Sequence, residues 1–134
     1  MKTTMRSMIL AGSLIAFPAL AQESLDRDQV ATLITGNTLY VQIPPGAPGA
    51  PEGGVAPIYY GTDGYAAAAL PAGLKLVGVW VLVDEGYCVD WENGPKNSCS
   101  VLARKPEHFE ILDASTNDPR GTVDKIMIGN PEGL

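Results

Sequence analysis

The chain has 134 residues, 46% of them hydrophobic, and a formal charge of −6. That acidic balance argues against nucleic acid or an anionic membrane surface as a partner, since both are polyanions. The length suits one domain with a single modest core.

Residues 1–21, MKTTMRSMILAGSLIAFPALA, have the layout of a cleaved export signal. Lys2 and Arg6 give it a positive start, Ser7 to Phe17 form a short apolar run, and Ala19-Leu20-Ala21 is a small-x-small cleavage site. The run is far shorter than the ~20 residues that span a bilayer. Gln22, not a cysteine, follows the cut, so no lipid anchor is expected. The expected product is a water-soluble bacterial domain over 22–134, periplasmic or secreted, with a formal charge of −8 once Lys2 and Arg6 are gone.

Asp26 to Ile34 is predicted as a short helix. Val30, Leu33 and Ile34 share one apolar face. Asp26 can cap its start, with Gln29 as capping-box partner and Ser24 as a rival cap. Gly36 stands where a C-terminal cap glycine belongs. A two-turn helix needs a surface to pack on. Thr38 to Ile43 is a first strand. Pro44 to Pro57, PPGAPGAPEGGVAP, reads as an irregular, solvent-exposed loop that buries nothing.

Short β runs then alternate with turns. Ile58–Gly61 and Tyr65–Leu70 flank Thr62-Asp63-Gly64. Leu74–Val83 and Tyr87–Trp91 flank Asp84-Glu85-Gly86. Ser98–Ala103, Glu107–Asp113 and Thr122–Ile128 follow. The alanines of Ala66–Ala69 favour helix, but Pro71 and Gly73 close the run, and strand is expected. Connections this short suit antiparallel neighbours and are too short for parallel crossovers. The expected fold is all-β: an antiparallel meander of about eight strands, closed or half-open like a small lipocalin-type barrel, with one N-terminal helix. A two-sheet sandwich is the alternative.

The two cysteines, Cys88 and Cys99, suit a disulfide in an oxidising compartment. A hairpin centred between Asn93 and Gly94 puts them directly opposite each other, within bridging distance. Alternation places Tyr87, Val89 and Trp91 on one face of their strand. On the preceding strand Val77, Val79, Val81 and Val83 share one face, and Leu76, Gly78, Trp80 and Leu82 the other. Both faces are apolar, so a central strand covered on both sides is expected.

Chemistry is sparse. Asp84, Glu85, Asp90, Glu92 and Asn93 are oxygen-rich but lack a calcium-loop spacing. His108 is the single histidine, and no nucleophile motif accompanies it. No catalytic residue, metal ligand or cofactor is assigned. The aromatic residues Tyr40, Tyr59, Tyr60, Tyr65, Trp80, Tyr87 and Trp91 read mainly as core. Tyr59, Tyr60, Tyr65, Tyr87 and Trp91 are the candidates for a binding surface.

Several pieces taken together carry a resemblance: Thr35-Gly36-Asn37-Thr38, the Tyr60–Gly64 hairpin, Gly78-Val79-Trp80, Tyr87-Cys88 through Trp91, Cys99, and Gly129-Asn130-Pro131. The chain resembles small exported alphaproteobacterial domains of unknown function, which usually have Gly-Thr-Trp where Gly78-Val79-Trp80 stands. The resemblance implies an antiparallel β-domain in the periplasm and no particular activity. The expected function is a non-catalytic periplasmic binding module for an unknown small ligand. Inhibition of an exported enzyme by protein–protein binding is the alternative, and a hydrolytic enzyme a distant third.

Overall fold

A computed structural model describes residues 23–134, so the export signal read over residues 1–21 lies outside the described residues. The helix α1 (Arg27–Ile34) follows a two-residue strand β1 (Glu23–Ser24). Asp26 caps α1 as a capping box: its carboxylate accepts from the Gln29 amide at 2.9 Å, and the Gln29 side chain accepts from the Asp26 amide at 3.0 Å. Ser24, the rival cap, belongs to β1 instead. Gly36 leaves the helix with φ +73°, a conformation few other residues adopt readily.

Eight further strands follow: β2 (Asn37–Ile43), β3 (Gly54–Tyr60), β4 (Tyr65–Ala69), β5 (Lys75–Val83), β6 (Gly86–Trp91), β7 (Ser98–Arg104), β8 (Phe109–Asp113) and β9 (Pro119–Ile128). Each pairs antiparallel with its neighbours in sequence, and β9 returns to β2. The eight close into a barrel, with β1 outside it along β7. The arrangement is a barrel, not a sandwich. At this strand number the interior is filled by side chains or holds one small ligand.

Inside and outside follow from alternation. Leu39 and Val41 of β2, Tyr60 of β3, Trp80 of β5, Tyr87, Val89 and Trp91 of β6 and Leu102 of β7 all belong to one buried cluster. Ala66 and Ala68 also face inward and are buried. The helix preference of alanine yields here to packing, because small side chains on β4 leave room for the aromatic rings of β3 and β5. Tyr60 sits edge-to-face on both Trp80 and Tyr87, with ring centroids 5.6 and 5.2 Å apart. The Trp80 indole N–H donates to the Gly61 carbonyl at 2.8 Å.

The expected second cover on β5 is absent. Val79 and Val81 point outward and are 60% and 58% exposed. Their valine content reflects fit to a pleated surface, not burial. The helix packs elsewhere. It touches β2, β5 and β6, strands from opposite walls, so it lies across one end of the barrel. Val30 and Ile34 are its fully buried residues.

The opposite end is framed by the loop after β2. That loop is shorter than expected, because Gly54–Pro57 belong to β3 and pair with β2. Pro57 is tolerated because β3 meets β4 only from Ile58 onward, leaving Pro57 with one strand neighbour. Nor is the remaining loop free of burial. Ala50 is 1% exposed, and the Ala72 amide donates to the Gly49 carbonyl at 3.2 Å. On the outer wall, the C-terminal segment is tied to β2. There Thr38 donates to the Gly129 carbonyl at 2.7 Å, and the Tyr40 hydroxyl donates to Glu132 at 2.8 Å.

Candidate functional site: the open end of the barrel

Cys88 and Cys99 are bonded to each other, Cα atoms 4.0 Å apart, directly opposite in the β6–β7 register. Tyr87 opposite Ser100 and Val89 opposite Ser98 continue that register, so the bridge anchors the part of the wall nearest the open end. A bonded pair fits an oxidising, exported setting. Among the described residues, no helix is long and apolar enough to cross a membrane.

Two adjoining chambers, which share lining residues, occupy the end away from α1. The inner one, ≈ 150 Å³, lies within the barrel between Tyr60, Tyr87, Val89, Ile111 and Arg120. The outer one, ≈ 490 Å³, is a vestibule walled by Leu70, Leu74, Leu76 and Trp91, with Pro48 and Gly49 at its rim. Ile58, Trp91, Ser98 and Arg120 line both. Among the described residues, Arg120 is the only Lys, Arg, Asp, Glu or His in either lining.

Arg120 reaches the interior through a β-bulge. Leu112 pairs with Pro119 and Ile111 with Gly121, so Arg120 is an extra residue on β9. A bulge re-aims the side chain it carries. Gly121 allows the tight backbone approach beside it, since a Cβ there would lie 2.5 Å from Val41 Cγ1 and 2.9 Å from the Gln42 carbonyl oxygen.

The guanidinium is held on three sides. Nη1 donates to Ser98 Oγ and Ser100 Oγ, each at 2.9 Å, and Nη2 donates to the Asp113 carboxylate. Asp113 is itself fixed, accepting from the Ser115 hydroxyl at 2.7 Å and from the Ser115 and Thr116 amides at 2.8 and 3.2 Å. Those Ser115 bonds foremost, with Arg120 next, hold its carboxyl well below the usual carboxylate range. Deeper in, the Tyr60 hydroxyl donates to the Tyr87 hydroxyl at 3.3 Å. Burial pushes both phenols up, and the Arg120 charge is among the influences that oppose this at Tyr87. A line of polar groups, Tyr60, Tyr87, Ser100 and Arg120, therefore runs along a mainly apolar cavity, with Asp113 behind Arg120.

The five aromatic candidates divide between two places. Tyr60, Tyr87 and Trp91 point inward and line the chambers, with exposures of 2%, 2% and 8%. Tyr59 and Tyr65 point outward, Tyr59 opposite Ala67 and Tyr65 opposite Val79. With Val79 and Val81 they form an apolar strip on the outside of β3–β5. Arg120 falls before Thr122, where the sequence places the start of the last strand, and Ser98 and Ser100, within the expected Ser98–Ala103 strand, carry no local signal that marks them as its partners.

A third hollow, ≈ 500 Å³, lies at the helix end, between the β7–β8 hairpin and the second half of β9. His108 is there, among Lys105, Glu107, Asp124 and Lys125, and no serine, threonine or cysteine lines it. Asp90, from the acidic region, accepts from the Asn97 amide. Comparisons of the chain with protein-family models, with curated proteins and with solved structures find no match.

Proposed function

We propose that this protein is a non-catalytic binding module of the bacterial periplasm, and that it takes a small ligand into the open end of its barrel. The observation that carries the reading is Arg120: a bulge delivers it to the junction of two apolar chambers, where serines hold it in place. Apolar walls with a few fixed polar groups are the usual build of a small-molecule site. The single histidine, His108, lies in the helix-end hollow, away from these chambers.

The test uses N-phenyl-1-naphthylamine, an uncharged fluorophore that brightens in apolar surroundings. It should bind saturably, one per chain. Leu74→Asp alters a half-exposed wall of the vestibule and should weaken it. So should Ala68→Phe, which fills space at the vestibule wall. Binding that ignores both substitutions would place the fluorophore outside the barrel.

A second reading rests on the strip of Tyr65, Val79 and Val81, which suits a protein partner such as an exported enzyme. Val79→Lys should abolish capture of such a partner from periplasmic extract while leaving the fluorophore bound. Capture that survives Val79→Lys removes the support for this second reading.

A further inference from the structure

Resting on the barrel-interior reading, we infer that the ligand is an uncharged molecule in which an ester or amide joins two apolar arms, its carbonyl accepting from Arg120. The chambers supply the shape. One apolar space lies on each side of the guanidinium, so the polar group belongs in the middle of the ligand and not at its end. The inner chamber, ≈ 150 Å³, takes an arm the size of a benzene ring or a short alkyl chain. The vestibule takes the longer arm.

Charge selects against an anion. The Arg120 charge is already answered by Asp113, and Asp113 is fixed by its turn and not free to leave. Among the described residues no second cation lines either chamber, and the chain as a whole carries a formal charge of −6. A carboxylate entering here loses its hydration and gains no uncompensated charge in return. A cation meets the guanidinium itself.

Donors are also left for the carbonyl. A guanidinium has five N–H groups. Three are used, two on the serines and one on Asp113. Both Nη1 hydrogens are committed, and the donors left over suit a carbonyl or a carboxylate alike, so the discrimination between them rests on charge. What remains is the Nε–H and one Nη2–H, enough for the two lone pairs of a single carbonyl oxygen.

The experiment is displacement of N-phenyl-1-naphthylamine from the full protein at about pH 7, where a carboxylic acid is ionised and an alkylamine protonated. The probes are N-butylhexanamide, hexanoate, hexylammonium and butylbenzene. The amide is expected to compete about tenfold better than the other three, the gain of one hydrogen bond from a charged donor. In Arg120→Met the advantage of the amide over butylbenzene should collapse, whatever the loss in binding of the fluorophore itself. In Asp113→Asn, which uncovers the guanidinium charge, hexanoate should gain on the amide. A readout needing no substitution is the Arg120 Nε–H resonance of the wild type, which should move with the amide and stay with butylbenzene. Hexanoate as the best competitor, or an Nε–H signal indifferent to the amide, overturns the inference and leaves barrel binding intact. A fluorophore that never enters the barrel overturns both.

Discussion

Asp113 ends β8 and Arg120 bulges from β9, and the two side chains form an ion pair at the mouth of the barrel with side-chain exposures of 25% and 34%. Neither position is informative alone. The pair exists because a short turn returns the chain beside itself while the bulge rotates Arg120 inward. Half-open to water, the pair contributes more to the shape and polarity of the site than to stability.

That pairing makes a pH prediction. The Asp113 pKa is depressed in the folded state, so the unfolded chain binds the extra proton first as pH falls. The associated stability is present above the ordinary carboxylate pKa of about 3.9 and is lost as pH drops below it. Denaturant titrations should show wild type losing more stability than Asp113→Asn between about pH 4 and pH 2. Parallel loss in both proteins would show that Asp113 is not held as described.

The disulfide should add stability without specifying the fold. It closes a loop of sequence separation 11, for which the chain-entropy argument gives about 2–3 kcal/mol. Cys88→Ala with Cys99→Ala should therefore unfold at lower temperature while keeping the β signature in circular dichroism. A variant with no β signal would mean that the bridge is required for the barrel to form.

Trp80 should be among the costliest core positions. It is 7% exposed, packs on Tyr60 and satisfies the Gly61 carbonyl. Trp80→Ala should cost about 3–5 kcal/mol in chemical denaturation, as large aromatic truncations in cores do. A loss below about 1 kcal/mol, the size typical of surface substitutions, would place the ring outside the core.

Gly121→Ala tests the bulge. The added methyl collides with Val41 and the Gln42 carbonyl, and relieving such overpacking typically costs about 1–3 kcal/mol. The bulge should shift with it, so Arg120 should lose its serine contacts and fluorophore binding should weaken. Unchanged stability and binding would show that β2 and β9 are not so close.

The loop after β2 should be ordered. Amides of Ala50 and Gly53 donate within it at 3.0 and 2.9 Å. Hydrogen exchange at both should be slower than at the exposed Glu52. Uniformly fast exchange would mean that Pro48 and Gly49 do not form a fixed rim.

Much of the wall was legible in the sequence, because alternation and turns are local. Asn93-Gly94 set the β6–β7 register, and the cysteines met where that register placed them. Tyr59 and Tyr60 are adjacent, so strand geometry alone requires them to face opposite ways. Grouping them as one binding surface overlooked that constraint. The valines of β5 misled for a different reason: high β-propensity occurs on exposed faces as well as buried ones. Arg120 was hidden because a bulge breaks the period on which inward and outward assignment depends. Residues Gly54–Pro57 were hidden because proline marks both loops and strands with a missing neighbour.

Barrel closure has a consequence for how this protein meets others. Each strand from β2 to β9 has partners on both sides, and the stretches paired on one side alone are short, among them the two-residue β1, residues 54–57 of β3 and residues 124–128 of β9. An incoming peptide finds no long row of unpaired backbone groups to extend, and neither does a second copy of the chain. Association by strand addition, and the templated growth that follows from it, is disfavoured in the folded form by the shortness of these stretches. Contact with another protein must use side chains on the outer wall or at the two ends, where single substitutions can tune it without disturbing the backbone ladder.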